Sequence, residues 1–179
     1  MTTILLARHG ETDWNLERRV QGHSDTPLNE TGRAQALALA ESLDDAALDA
    51  IYASDLERAY DTARIVAERK GLLVELLPEL RERNFGTWEG LTDMEIFERY
   101  PQAKTGSWGD AETKEEMAER VLGALHRIAA EHPDGRVLVV THGGPLRSLL
   151  VECGGDGRGP IANCCLYEVR LRDGKFVSV

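Results

Sequence analysis

One apolar run that ends in a basic and polar cluster constrains the fold of this chain more than any other feature. Residues 4–7 read Ile-Leu-Leu-Ala, and Arg8, His9 and Gly10 follow directly. A strand that is buried on both faces reads as nearly continuous apolar sequence, as in parallel sheets covered by helices. Ligands bind at the carboxyl ends of such strands. We therefore expect the arginine to clamp an anion there and the histidine to act as nucleophile or proton carrier.

A second apolar run has the same form. Residues 137–140 read Val-Leu-Val-Val and lead into Thr141, His142 and two glycines. Glycines at the start of a helix can expose backbone amides to an anion. For a lone histidine after a strand, a structural role is the better interpretation. That interpretation weakens here because His9 holds the matching place after another strand.

The order of predicted elements gives the fold class. Strands alternate with helices, which predicts an α/β fold with a mostly parallel sheet and helices on both faces. We expect one three-layer domain that covers residues 1–179 and closes with a hairpin around Asp173-Gly174. The predicted helices are 31–43, 54–70, a short one from Thr92 to before Pro101, 113–132 and one from Gly144 to 152; the predicted strands are 4–7, 50–53, 72–76, 137–140, 165–171 and 176–179.

A third junction carries an arginine whose role the residues leave open. Ser54 and Glu57 match a capping box, as do Thr92 with Glu95 and Thr113 with Glu116. Arg58 would then lie in the first turn of its helix, where the helix dipole disfavours a cation by roughly 0.3–1 kcal/mol. A bound anion would reverse that sign. A neighbouring carboxylate, from Glu57 or Asp61, would equally neutralise the arginine on the surface.

Four stretches in order resemble the motifs of the histidine phosphatase superfamily, the group that includes cofactor-dependent phosphoglycerate mutase. The stretches are residues 8–15 (Arg-His-Gly-Glu-Thr-Asp-Trp-Asn), 54–63, 80–90 and 141–143. The resemblance covers essentially the whole chain and implies a phosphoglycerate mutase-like fold.

The resemblance also implies roles for individual residues. His9 would be the nucleophile that becomes phosphohistidine, and Glu82 would be the proton donor. The remaining implied residues hold phosphate or line the substrate side: Arg8, Arg58, His142 and Gly143 around the phosphoryl group, Asn15 as a further phosphate contact, and Gln21 and Gly22 in a substrate loop. Glu89 matches the motif and is interpreted as structural.

Charge limits the partners. The formal net charge of −10 argues against nucleic acid and against anionic membranes. A protein this acidic must concentrate positive charge locally to hold a phosphorylated substrate. We expect a small phosphorylated metabolite as the partner. A homodimer could form through the edge strand of the terminal hairpin, but edge strands often pair with nothing, so the sequence leaves the oligomeric state open.

The cysteines and histidines give no sign of a cofactor. Cys153, Cys164 and Cys165 are interpreted as reduced thiols of a cytoplasmic protein, and no signal peptide or membrane span is expected. His23, His126 and His132 lack metal-ligand spacing and are interpreted as surface residues. We expect neither a metal nor another cofactor.

Three activities remain within this resemblance. We predict a metal-independent phosphomonoesterase, because the chain lacks the insertion that the mutases carry. It also has Gln-Gly-His at 21–23, where mutases typically have Thr-Gly-Trp, and Gly144, where they typically have asparagine. The alternatives are a cofactor-dependent phosphoglycerate mutase and a non-catalytic protein that binds a phosphorylated ligand. Substrate choice is expected to come from residues 20–29 and 93–112, and Trp108 is interpreted as capping the core rather than stacking on a ligand.

Overall fold

The computed structural model describes residues 1–102 and 110–178, so the predictions for Trp108 and for most of the 103–112 loop lie outside the described residues. The strands are β1 (Thr3–Arg8), β2 (Ala50–Ala53), β3 (Val74–Leu76), β4 (Arg136–Thr141), β5 (Leu166–Arg172) and β6 (Lys175–Ser178). The helices are α1 (Asp13–Leu16), α2 (Glu30–Ser42), α3 (Glu57–Lys70), α4 (Asp93–Arg99), α5 (Lys114–Glu131) and α6 (Gly143–Glu152). The part of the chain that is described includes no helix long and apolar enough to cross a membrane.

The strands form a six-stranded sheet in the order β3-β2-β4-β1-β5-β6. The four strands from β3 to β1 are parallel, and β5 and β6 run antiparallel at one side. This confirms the predicted mostly parallel sheet and the predicted hairpin. Asp173 and Gly174 have φ values of 50° and 75°, the left-handed conformations that a tight two-residue hairpin turn requires.

Alternate residues of β1 show why the domain has three layers. Ile4 and Leu6 pack in an apolar cluster with buried residues of α5 and α6, whereas Leu5 and Ala7 pack in a second cluster with residues of α2 and α3. Successive side chains of a strand point to opposite faces of the sheet. A strand that is apolar at every position therefore requires helices on both faces, as predicted.

The register of the central strands places the site. Arg8 of β1 pairs with Thr141 of β4, and Val140 of β4 pairs with Ala53 of β2. Since these three neighbouring strands are parallel, the residues that follow each of them emerge at the same edge of the sheet. This edge is where the sequence motifs meet.

One predicted helix start is wrong. Thr92 and Thr113 do form capping boxes, but α3 begins at Glu57 with Leu56 in the N-cap position, whose side chain makes no capping hydrogen bond. The Ser54 hydroxyl accepts instead from the Leu56 amide at 3.3 Å, and Asp25 from a distant loop accepts from the Glu57 amide at 2.7 Å. A tertiary contact therefore replaces the local cap.

Candidate active site

His9 lies directly beyond β1 and is only 3% exposed. Its backbone amide donates to the Thr141 carbonyl at 2.9 Å, and its ring Nδ1 lies 2.7 Å from the Gly10 carbonyl oxygen. Because a carbonyl can only accept, Nδ1 carries the proton and Nε2 keeps its lone pair. Burial, with the nearby charges of Arg58 and Arg8, lowers the pKa of His9 well below its ordinary value. The ring is therefore neutral and suited to nucleophilic attack.

His142 is the second histidine at this edge and occupies the N-cap position of α6, where its side chain makes no capping hydrogen bond. It is fully buried, and its ring centroid lies 5.1 Å from that of His9, with the rings inclined by 58°. Burial lowers the pKa of His142 well below the ordinary histidine value, and the charge of Arg58 adds to this effect. Neither ring nitrogen has a hydrogen-bond partner among the described residues.

Arg58 is fully buried at the start of α3, so the interpretation of a surface arginine neutralised by Glu57 or Asp61 is wrong. Its Nη1 donates to the Ser24 carbonyl and its Nη2 to the Gly22 carbonyl, both at 2.8 Å. Burial lowers the pKa of Arg58 to about 10. The guanidinium is held by neutral carbonyl groups, which leaves its charge available to an anion.

Arg8 extends from the end of β1 toward the same space. Its Nη1 donates to the Ile161 carbonyl at 2.5 Å. Its Nε is buried and has no partner among the described residues, as is also true of Nε of Arg58 and of both ring nitrogens of His142. Buried polar groups are almost always hydrogen-bonded. Nε–H of each arginine and the single N–H of a neutral His142 are therefore three unpaired donors near His9, and they indicate a binding site for a group rich in acceptor oxygens.

Glu82 lies on the acid loop, which we define as residues 78–90. Its Oε1 accepts from the Arg83 amide at 2.8 Å, and its Oε2 accepts from the Gly144 amide at 3.0 Å. The Thr141 hydroxyl donates to the Leu80 carbonyl at 2.7 Å and so attaches the loop to the end of β4. The Gly144 amide at the start of α6, which the sequence suggested could bind an anion, therefore donates to the Glu82 carboxylate.

The surroundings of Gly143 show that the guanidinium of Arg8 and the carboxyl of Glu82 lie in the same cleft. A Cβ at this glycine would lie 3.7 Å from Nε of Arg8 and 3.9 Å from Oε2 of Glu82. All three residues line a cleft of about 830 Å³. The structure therefore brings His9, Arg8, Arg58, His142, Glu82 and Gly143 together at the edge of the sheet, as the motifs predict.

The side-chain oxygens of Asn15 and Gln21 accept hydrogen bonds from nearby residues of the chain, and Oδ1 of Asn15 also lies 3.4 Å from Nδ2 of Asn163. Oδ1 of Asn15 accepts from the Thr12 amide at 3.1 Å, and Oε1 of Gln21 accepts from the Thr26 hydroxyl at 2.7 Å. Gly22 has a φ of 53° and presents its carbonyl to Arg58. These contacts shape the loops around the site.

Glu89 connects the substrate loop to the acid loop. Its carboxylate accepts from the amides of His23 at 2.8 Å, Ser24 at 2.7 Å and Phe85 at 3.1 Å. Nε2 of His23 lies 2.9 Å from the Glu82 carbonyl oxygen. The interpretation of His23 as a surface residue is therefore wrong, because it packs between the two loops.

Two residues that contact the site, Thr62 and Asn163, were not predicted from the sequence. The Thr62 hydroxyl accepts from the Gly10 amide at 2.9 Å and donates to the Arg58 carbonyl at 2.7 Å, so it links two parts of the site. Nδ2 of Asn163 donates to the His9 carbonyl at 2.9 Å. Thr62 lies within the motif at residues 54–63, so its role in the site could have been predicted from the sequence. Asn163 carries no local signal, since its contact spans most of the chain.

The cleft has no ready metal site in the described ranges. Residues 1–102 and 110–178 contain no group of three or more histidine, cysteine or acidic side chains that could hold a metal ion.

Comparison with known proteins agrees with this geometry. Residues 4–179 match the model of the histidine phosphatase superfamily (branch 1). The chain is 37% identical over 180 residues to the uncharacterized phosphatase PhoE of Bacillus subtilis, covering 98% of this chain and 92% of the relative. It is 38% identical over 190 residues to a metal-independent phosphoserine phosphatase of Arabidopsis thaliana, covering 99% and 79%.

A solved structure gives the same result. The mycobacterial glucosyl-3-phosphoglycerate phosphatase in complex with VO3 superposes with a TM-score of 0.87 at 31% identity, covering 99% of this chain and 96% of that one. These three relatives are named as phosphatases, other relatives are named as probable phosphoglycerate mutases, and the family works through a phosphohistidine. The chain is therefore a phosphoric monoester hydrolase and belongs to branch 1 of the histidine phosphatase superfamily.

Proposed function

We propose that the chain is a metal-independent phosphomonoesterase in which His9 is the nucleophile and Glu82 the proton donor. One observation carries the proposal: beside a neutral His9, the buried side chains of Arg8, Arg58 and His142 have N–H donors with no partner among the described residues. Leaving a buried polar group unpaired costs about 1–3 kcal/mol, and more for a charged group. A phosphoryl group supplies oxygens that satisfy such nitrogens.

The first step transfers the phosphoryl group to the protein. Nε2 of His9 forms a bond to phosphorus while the ester P–O bond breaks. Arg8, Arg58 and His142 stabilise the charge spread over the phosphoryl oxygens. The carboxyl of Glu82 gives a proton to the departing oxygen, a contribution typically of about 10²–10⁴-fold in rate.

The second step returns the protein to its starting state. A water attacks the phosphohistidine, the carboxylate of Glu82 takes the proton of that water, and the P–N bond breaks. Inorganic phosphate leaves and His9 is again neutral. Asn15, Gln21, Gly22 and Gly143 complete the proposed phosphate and substrate environment, with Gly22 acting through the carbonyl that holds Arg58.

The direct test is hydrolysis of p-nitrophenyl phosphate in excess chelator. We expect chelator-resistant turnover that is lost in His9→Ala and retained in His126→Gln, which alters an exposed histidine. Quenching the wild type in base during turnover should trap phosphohistidine on the peptide that contains His9. Turnover that persists in His9→Ala would overturn the assignment of the nucleophile.

The substrate is proposed to be a small metabolite that carries charged groups beside its phosphate. The cleft next to Glu82 is lined by side chains of both signs, among them Lys114, Arg147, Glu115 and Glu152. Phosphoserine and glucosyl-3-phosphoglycerate, named for relatives, are the first candidates to assay. If the wild type instead interconverts 3- and 2-phosphoglycerate with a bisphosphoglycerate primer, the mutase is the correct reading. Binding of phosphorylated ligand without turnover would indicate the non-catalytic alternative.

Location and assembly are also proposals. Cys153, Cys164 and Cys165 are free thiols, which supports work in the reducing cytoplasm. Strand β6 is an edge strand of the sheet, and Val177 on it is 37% exposed. A homodimer through this edge would appear as a doubled mass in light scattering, and cell fractionation would test the location.

A further inference from the structure

Every N–H donor of the Arg120 guanidinium, on α5, contacts either the acid loop or Glu112. Its Nη1 donates to the carbonyls of Glu79 at 2.8 Å and Arg81 at 2.7 Å, and its Nη2 donates to the carbonyl of Glu82 at 2.7 Å. The remaining two donors contact Glu112, with Nε at 2.6 Å from Oε1 and Nη2 at 2.8 Å from Oε2. One side chain therefore holds three backbone carbonyls of the loop that carries Glu82.

Glu112 fixes this guanidinium and also touches the loop itself. Its Oε2 accepts from the Asn84 amide at 3.0 Å, its backbone amide donates to the Asn84 carbonyl at 2.9 Å, and its carbonyl accepts from Nε of Arg83 at 2.6 Å. The side chains of Arg120 and Glu112 are only 22% and 16% exposed. A bidentate pair with this little exposure keeps one geometry, unlike a surface ion pair.

The contacts of Arg120 bear on the direction of the Glu82 side chain. None of its hydrogen bonds reaches the Glu82 carboxyl, whose oxygens accept from the amides of Arg83 and Gly144. Arg120 instead fixes the backbone on both sides of the Cα from which that carboxyl extends. A catalytic group must be held within a fraction of an ångström of its productive position, and a 1 Å displacement can cost about 10²-fold in rate.

We propose that Arg120, held by Glu112, is a positioning residue that aims the Glu82 carboxyl at the leaving oxygen of the substrate. The proposal rests on the proposed function, because it requires Glu82 to be the proton donor. If Arg120 had a purely structural role, its substitution would lower stability and would slow the reactions of all substrates by the same factor. The two roles therefore differ in their dependence on the leaving group.

The experiment compares p-nitrophenyl phosphate, whose leaving group needs little protonation, with phenyl phosphate and glycerol 2-phosphate, whose leaving groups need much more. In Arg120→Lys and Glu112→Gln we expect kcat/KM on glycerol 2-phosphate, which reports the steps through departure of the leaving group, to fall about 10- to 100-fold. On p-nitrophenyl phosphate we expect kcat/KM to fall less than about threefold, because the phosphate-binding groups are untouched. Phenyl phosphate should lie between them.

Arg127→Gln is the matched control. Arg127 lies on the same helix and its Nη2 donates to the Glu79 carboxylate at 2.9 Å, in an exposed pair that leaves the loop carbonyls alone. It should leave all three rates unchanged. Equal losses on the three substrates in Arg120→Lys and Glu112→Gln, or no loss in either, would overturn the positioning role.

Glu82→Gln separates this proposal from the proposed function. If Glu82→Gln shows the same dependence on the leaving group and the Arg120 and Glu112 variants do not, only the positioning role is overturned. If Glu82→Gln shows no such dependence, the proton-donor assignment fails and the positioning role fails with it. Should Arg120→Lys not fold, Glu112→Gln alone decides, because it retains the Arg120 side chain but removes the carboxylate charge that holds its guanidinium against the loop carbonyls.

Discussion

The imidazole rings of His9 and His142 lie 5.1 Å apart between centroids, and both are almost completely buried. Each follows a central strand, and the parallel pairing of Arg8 with Thr141 sets their separation. The buried arginines beside them make a positive charge on either ring unfavourable. Two histidines that stay neutral in the folded protein have a consequence for stability.

We predict that the free energy of unfolding falls as the pH drops below about 6.5, the ordinary pKa of histidine. Because burial lowers the pKa of His9 and His142 in the folded state, the unfolded chain binds more protons in this range. The loss should reach up to about 1.4 kcal/mol per pH unit for each histidine. Denaturant unfolding between pH 7.5 and 5.5 measures it. The double variant His9→Gln, His142→Gln should show a shallower slope, and an unchanged slope would contradict the prediction.

A second prediction concerns inorganic phosphate. If the unpartnered nitrogens of Arg8, Arg58 and His142 bind phosphoryl oxygens, phosphate should stabilise the folded state. At a hundredfold excess over Kd the gain is about 2.7 kcal/mol, which raises Tm by about 5–10 °C for a chain of this size. Arg58→Lys should lose most of that shift, since lysine cannot reproduce the planar guanidinium.

Arg64→Gln is the control for this measurement. Arg64 lies on the same helix as Arg58 but is exposed, where it pairs with Asp61 and Glu68. Its variant should keep the full phosphate shift. A shift that is equally large in Arg58→Lys would show that phosphate binds elsewhere.

The sequence was sufficient for the sheet because strands such as residues 4–7 are buried on both faces and have no polar position to obscure the pattern. The sequence was also sufficient to predict that the residues following β1 and β4 lie in one site, since the ends of parallel strands meet at one edge. That β1 and β4 are neighbours, however, is a property of the assembled sheet and has no local signal. The resemblance to a family implied only that His9 and His142 belong to one site.

The contacts that complete the site could not be read from the sequence. Arg58 is held by the carbonyls of Gly22 and Ser24, and Asn163 contacts the carbonyl of His9. Every residue has a carbonyl, so such partners leave no mark on residue type. The failed capping box at Ser54 has a related cause, since Asp25 approaches from a distant loop and competes with the local cap.

A third prediction tests stability away from the site. Gly71 ends α3 with a φ of 67°, and a Cβ there would meet no atom within 4 Å. Gly71→Ala should therefore lower the free energy of unfolding through backbone strain alone, by about 1–2 kcal/mol. Hydrolysis of p-nitrophenyl phosphate should be unchanged at a temperature where the variant is folded. Unaltered stability in denaturant unfolding would contradict the strained conformation.

A fourth prediction concerns the glycine that meets the proton donor. A Cβ on Gly144 would lie 2.1 Å from Oε1 of Glu82, so the carboxyl of Glu82 must move in Gly144→Ala. The displaced carboxyl no longer points at the leaving oxygen, whereas the groups around phosphate are unaffected. We expect kcat/KM on glycerol 2-phosphate to fall about 10²-fold and kcat/KM on p-nitrophenyl phosphate to fall much less.

Gly123→Ala is the matched control for this substitution. Gly123 lies inside α5, and a Cβ there would meet no atom within 4 Å. Its variant should gain about 0.5–1 kcal/mol in stability, because alanine is the better helix former, and should keep the activity of the wild type. If Gly144→Ala slows both substrates equally, the substitution acts on the helix rather than on Glu82. If it slows neither, the Glu82 carboxyl has room to rotate without loss, and the close contact between Gly144 and Glu82 is not needed for proton transfer.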